Sequence, residues 1–156
     1  MTRKPFAAFG RVLYANYYEE GEVFDVSTNA SSRTVLFFSS GYVVAKDKET
    51  DKVVHNCTPG MLISNHLNSE LKCTALIPTV CWCYDPLVNQ GYVPIIEKFT
   101  CIRGQRMLIN TFTNLFLCEG GLEINESKYV GPYQLAMRDS KKVVLATTDV
   151  YGLIFK

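Results

Sequence analysis

At 156 residues, 47% hydrophobic and 20% charged, the chain has the length of one domain and the composition of a packed globule, which excludes a disordered linker or tail. Sixteen basic and fifteen acidic residues leave a formal charge of +1, so nothing in the overall balance draws the chain to nucleic acid or to an anionic membrane, and neither is expected as a partner. No stretch nears the roughly 20 apolar residues of a membrane-spanning helix.

Residue choice points to strands. Val, Ile and Thr number 35 and the aromatics 19, against 17 for Ala and Glu together; the first set suits a pleated, half-buried surface and the second suits helix faces. The reading is one all-β domain over residues 1–156, with about nine to eleven strands in a jelly-roll or barrel. The first ten residues carry charge but no apolar core of signal-peptide length. The expected location is therefore the cytoplasm of the producing cell or an assembly formed there, with Cys57, Cys73, Cys81, Cys83, Cys101 and Cys118 as reduced thiols.

In chain order, strand-like runs at 8–18 and 21–27 flank Glu20-Gly21, read as a first hairpin, and residues 29–33 form a polar loop. Runs at 33–38 and 42–46 flank Ser39-Ser40-Gly41, read as a second hairpin, and the charged turn Asp47 to Asp51 leads into 52–57. After Thr58-Pro59-Gly60, residues 60–70 allow at most a short helix. From Leu71 to Tyr84 the odd positions are Leu, Cys, Ala, Ile, Thr, Cys and Cys, a period-two signal of one long strand with a bulge at Pro78. Asp85-Pro86 and Asn89-Gln90-Gly91 then punctuate the chain before 92–102. Further strands are read at 105–110, 114–118, 122–125, 129–137, 141–147 and 151–155, and no internal repeat is apparent.

Chemistry-bearing patterns are sparse. His55 and His66 are the only histidines, and no HxH, HxxxH or HExxH spacing exists to start a metal site. Cys81 and Cys83 share one face of a strand, roughly 6.6 Å apart, too poorly aimed for a disulfide, and read as small core hydrophobes. Trp82 points the other way, as an anchor or an interface residue. Arg103-Gly104-Gln105-Arg106 reads as a solvated turn. No serine-nucleophile elbow, phosphate loop or dinucleotide motif is present. Accordingly no catalytic, cofactor-binding or metal residue is assigned, no cofactor is expected, and the chain reads as a non-enzyme.

The run Phe116-Leu117-Cys118-Glu119-Gly120-Gly121-Leu122-Glu123-Ile124, followed by Val130-Gly131-Pro132-Tyr133-Gln134-Leu135, resembles the strand, glycine turn and proline corner of a cupin, the double-stranded β-helix family. The resemblance implies a jelly roll. Where a metal cupin places its histidines, this chain has Asn110, Phe112 and Asn114, and later only Gln134, so the form it resembles is metal-free. In chain style it is similar to small structural proteins of tailed bacteriophages, which implies a decoration, neck or tail subunit located in the virion. The partners expected on that reading are further copies of itself, as a homo-oligomer, or other virion proteins; the unprotected apolar runs Phe6-Ala7-Ala8-Phe9 and Val143 to Thr148 would offer edges for them. The alternatives are a cupin-type small-ligand module or enzyme using the barrel interior, and an intracellular inhibitor or adaptor. What lines the barrel discriminates: convergent polar groups beside a cavity speak for a ligand, packed Phe, Leu and Val for a structural subunit.

Overall fold

A computed structural model describes residues 1–27, 34–64, 70–110, 113–138 and 141–156. All described secondary structure is β, as the composition predicts, in seventeen strands rather than nine to eleven. The excess arises because tight turns cut the apolar runs into short pieces that enter different sheets. By its internal contacts the chain groups into two compact units, Met1–Ala7 with Arg11–Val93, and Ala8–Gly10 with Pro94–Lys156.

The first unit holds β1 (Thr2–Ala8), β2 (Arg11–Tyr18), β3 (Val23–Ser27), β4 (Val35–Ser40), β5 (Val43–Asp47), β6 (Val53–Cys57), β7 (Leu62–Ile63), β8 (Glu70–Ala75) and β9 (Thr79–Tyr84). One sheet runs β1-β2-β9-β4-β7 and the other β3-β8-β5-β6. The second unit holds β10 (Ile96–Cys101), β11 (Arg106–Ile109), β12 (Thr113–Glu119), β13 (Gly121–Ile124), β14 (Ser127–Val130), β15 (Tyr133–Met137), β16 (Lys142–Ala146) and β17 (Val150–Phe155), in sheets β10-β17-β12-β15 and β11-β16-β13-β14. With β1 set aside, the two orders are identical strand for strand. Each unit is the same eight-stranded, two-sheet roll.

The correspondence reaches single hydrogen bonds. Between β2 and β3, Gly21 N–H donates to Ala75 O (2.7 Å), Glu22 N–H to Glu19 O (3.1 Å) and Ala75 N–H to Glu22 O (2.9 Å). Between β10 and β11, Gly104 N–H donates to Ala146 O (2.8 Å), Gln105 N–H to Ile102 O (3.0 Å) and Ala146 N–H to Gln105 O (2.9 Å). The β4–β9 ladder shifts register between Phe38 and Ser40, and the β12–β17 ladder between Leu117 and Glu119. Gly41 (φ 96°) and Gly120 (φ 95°) follow those bulges, and a Cβ there would collide with Thr79 Oγ1 or with the Asp149 carbonyl oxygen. The chain therefore contains an internal repeat. It escapes a search at fixed period because the spacing between equivalent residues falls from 83 (Gly21 and Gly104) through 79 (Gly41 and Gly120) to 71 (Thr79 and Val150) as the first unit's longer loops are passed.

Several turns read as hairpins are corners. Glu20-Gly21 passes the chain from β2, paired with β9, to β3, paired with β8, and Ser39-Ser40-Gly41 passes it from one sheet to the other in the same way. True hairpins are β5–β6 and its counterpart β13–β14, where Asn125 and Glu126 both take positive φ (49° and 68°). The supposed long strand at 71–84 is two strands of different sheets: the odd-position burial holds at Leu71, Cys73 and Ala75, breaks at exposed Ile77, and resumes at Thr79, Cys81 and Cys83. Strand β9 is buried on both faces, so Trp82 is an internal anchor, its Nε1 donating to Ser39 Oγ (3.0 Å) beside the Phe6 ring (5.2 Å). In the stretch 60–70, Leu62–Ile63 forms a strand, and residues 65–69, His66 among them, lie outside the described residues, as do the loop at 29–33 and Phe112. Of the two apolar runs, Phe6-Ala7-Ala8 is on β1, an edge strand, whereas Val143 onward builds β16 and β17, both central in their sheets.

Candidate functional site

Corresponding positions differ in what they put inside. In the second unit the interior is apolar: Phe99, Leu115, Leu117, Leu122, Met137 and Val144 pack together with small neighbours. In the first unit the ladder places Asn16 opposite Cys81, and in the second it places Phe99 opposite Gly152, the residue equivalent to Cys81. Asn16 thus stands where the second unit has Phe99. By the same ladders Cys83 stands where the second unit has Ile154, while Asp25, at an exposed position, stands where it has the exposed Leu108.

Asn16 is 3% exposed, and a buried amide is tolerated only with its bonds made. Arg3 on β1 supplies one, its Nε donating to Asn16 Oδ1 at 2.7 Å while the guanidinium lies 4.7 Å from the centre of the Tyr14 ring. Tyr18 lies beside it on the same cavity wall. Tyr18 in turn stacks on Phe24 (centroids 3.9 Å, 13° between planes), and burial above all, with the neighbouring Cys81 and Cys83, holds its phenol far above the ordinary value.

These side chains border a cavity of about 260 Å³ in the first unit. Val26, Leu36, Phe24 and Cys83 give it apolar walls, and Arg3, Asn16, Tyr18, Asp25, Thr34 and Asp85 give it polar ones. Burial pushes the Cys83 thiol up to about 11, Arg3 drawing it down and Asp85 pushing it further up. At neutral pH it is a protonated wall and not a nucleophile. Asp25 is engaged by Lys48 Nζ (3.2 Å), which also reaches Glu70 (3.6 Å). The Asp85 carboxylate accepts the Leu87 N–H (2.9 Å).

Asn89, 6% exposed, fixes the segment that carries Asp85. Its Oδ1 accepts the Val12 N–H (2.8 Å), and its Nδ2 donates to Val12 O (3.0 Å) and Asp85 O (2.9 Å), so the side chain imitates a strand partner for β2. The far end of that segment is tied by Tyr84 Oη donating to Tyr92 O (2.8 Å) and by Arg11 over the Tyr92 ring (4.2 Å).

None of these residues is singled out by the sequence. A signal existed in Asn16, an amide at an inward position of a run otherwise apolar or aromatic. The patterns that did attract notice do other work. All six cysteines are free and buried. Arg103 to Arg106 is a corner, its Arg103 N–H donating to Asp149 Oδ1 (2.9 Å). Gln134 accepts the Phe9 N–H at its Oε1 (2.8 Å), the Asn110 carbonyl accepts the Thr113 hydroxyl (2.8 Å), and the buried Asn114 Oδ1 has no partner among the described residues.

No protein-family model matches the sequence, and neither does any curated protein. Solved structures do match. HutD from Pseudomonas fluorescens covers 99% of this chain and 93% of its own at 13% identity, with a TM-score of 0.62. A cupin 2 conserved barrel domain protein from Leptotrichia buccalis covers 99% and 87% at 6% identity (TM-score 0.54), and the bacterial pirin YhhW from Escherichia coli in complex with nickel(II) covers 93% and 80% at 11% identity (TM-score 0.52). At such identities the likeness is one of fold, and the fold is cupin-like and all-β.

The expectation of a virion subunit of a tailed bacteriophage is overturned on two counts. The proteins that match over nearly the whole chain include a cupin 2 conserved barrel domain protein and a bacterial pirin. The first unit, moreover, lines a cavity beside its apolar core of Leu36, Phe38, Val43 and Leu71 with polar groups, where a purely structural subunit would pack it shut. A metal such as YhhW's nickel does not fit the described residues: no three His, Cys, Asp or Glu side chains among them converge, and His55 brings a lone imidazole whose buried Nε2 has no partner.

Proposed function

We propose that the chain is a small-ligand-binding module that uses the interior of its first barrel, the second barrel serving as a filled structural counterpart. One observation carries this: Asn16, buried and bonded to Arg3 on the wall of a 260 Å³ cavity, occupies the position that Phe99 fills in the second unit. Keeping an amide there and supporting it with a charged side chain costs packing that an apolar residue would supply at once. Concave, partly apolar sites with a few fixed polar groups are the usual form of small-molecule sites. The function is binding without chemistry: Cys83 is protonated at neutral pH, and no catalytic role is assigned to Asp25 or Asp85.

The test is a nuclear magnetic resonance screen of the full chain against a panel of neutral, anionic, cationic and dipolar metabolites, repeated on Asn16→Phe, which copies the second unit. Shifts confined to the cavity-lining residues of β1, β2, β3, β4 and β9 and to Asp85, lost in a folded Asn16→Phe, are expected. If no compound of any class perturbs those strands, the reading is wrong.

A further inference from the structure

Arg3 and Asp85 carry opposite charges on one cavity, and both act on the Cys83 thiol between the apolar walls. Yet neither forms an ion pair among the described residues. Arg3 spends its Nε on Asn16 and one face on Tyr14, leaving its terminal nitrogens; Asp85 spends one oxygen on the Leu87 N–H. Asp25 differs, because Lys48 already holds it. A simple anion entering the cavity would gain Arg3 but meet two carboxylates, and a simple cation would gain Asp85 but meet Arg3. A molecule carrying both charges meets an opposite charge at each end, and charge-assisted hydrogen bonds are the stronger kind.

We propose that the cavity of the first barrel takes a small dipolar molecule of the amino-acid class, its carboxylate held by the terminal nitrogens of Arg3 and its ammonium group by the Asp85 carboxylate, with the Asn16–Tyr18 pair as the polar wall between them. The Tyr18–Phe24 stack offers an apolar surface to the part of the molecule between or beyond its charges. This rests on the first barrel being the ligand site, and it adds the class of ligand.

The experiment titrates the full chain by calorimetry and nuclear magnetic resonance with L-α-amino acids, 4-aminobutanoate and 5-aminopentanoate, each beside its methyl ester (cation) and N-acetyl derivative (anion). At least one dipolar probe is expected to bind about tenfold or more tightly than both of its derivatives, the scale of one charge-assisted bond. Arg3→Gln is expected to bring that probe down to the level of its methyl ester, Asp85→Asn to the level of its N-acetyl derivative, and Arg3→Lys to retain part of the preference. If the dipolar probes bind no better than their singly charged derivatives, the inference is overturned, whether or not the variants fold, because the wild-type comparison decides it. Binding of some other class in the same cavity would leave the ligand-module reading standing, whereas silence from the whole panel would remove both.

Discussion

Gly120 and Gly104 sit at corners of the same unit with similar backbone angles, φ 95° and 84°, but in different surroundings. A Cβ on Gly104 would meet nothing within 4 Å, whereas one on Gly120 would run into the backbone carbonyl of Asp149, which no rotamer change can move. An L side chain at such φ costs about 1–2 kcal/mol, and that is the whole expected cost of Gly104→Ala. Gly120→Ala adds the cost of forcing two backbones apart, about 1–3 kcal/mol by analogy with overpacking, for a total of about 2–5 kcal/mol. In a unit of this size each 1 kcal/mol shifts the melting temperature by about 4–8 °C. Urea unfolding followed by far-ultraviolet circular dichroism measures both variants, and the difference between them isolates the collision. If Gly120→Ala is no more destabilising than Gly104→Ala, the corner geometry is not what fixes the passage from β12 to β13.

Three further outcomes are expected. Ser39→Ala removes the hydroxyl that accepts the buried Trp82 Nε1–H and is expected to cost about 1–3 kcal/mol, read from the urea midpoint of the single tryptophan's fluorescence; an unchanged midpoint counts against the bond. Asn89→Leu removes three hydrogen bonds to Val12 and Asp85 and strands buried backbone groups, at about 2–3 kcal/mol; the same chemical denaturation checks it, a loss under 1 kcal/mol refuting the clasp. Burial raises the thiols of Cys57 and Cys83 to about 11 and of Cys73 to about 12, from an unfolded value of about 8.5. Their contribution is therefore complete below pH 8.5 and lost as pH rises through the folded values, because the unfolded chain ionises first. The urea midpoint should fall between pH 8.5 and 11, less steeply in Cys73→Ala, and a flat profile refutes the shifts.

The all-β class was legible because 35 β-branched residues and 19 aromatics leave little else to build with. So were the positions of most turns, since Gly21, Gly41, Gly104 and Gly120 announce themselves. Their function was not. A glycine turn that folds a strand back on its neighbour and one that sends the chain to the opposite sheet use the same residues; the difference lies in the partners, β9 and β8 for the strands around Gly21, which are far away in sequence. The repeat hid for a related reason, as Leu36-Phe37-Phe38 and Leu115-Phe116-Leu117 precede their bulges identically while loop insertions change the spacing elsewhere. The cavity was the least legible part. Arg3, Asn16, Tyr18 and Asp85 are common residues in no recognisable motif, and only the ladder register shows that Asn16 replaces a phenylalanine.

Each unit pairs its first roll strand with its last: Tyr14 of β2 lies opposite Cys83 of β9, and Glu97 of β10 opposite Ile154 of β17. The last strand is also central, lying between the first strand and β4 or β12. A nascent unit can therefore complete the sheet around its hairpin and the β4–β7 or β12–β15 pair, but the other sheet stays open until the whole stretch has looped round to deliver its central strand. Folding should then finish on a late closure at the slow, millisecond-to-second end expected for such long-range pairing. The same geometry sets the start of β2 beside the end of β9, so each roll's natural ends adjoin. A permuted first unit with β9 placed ahead of β2 would turn its most distant pairing into a local hairpin and fold faster without altering the cavity.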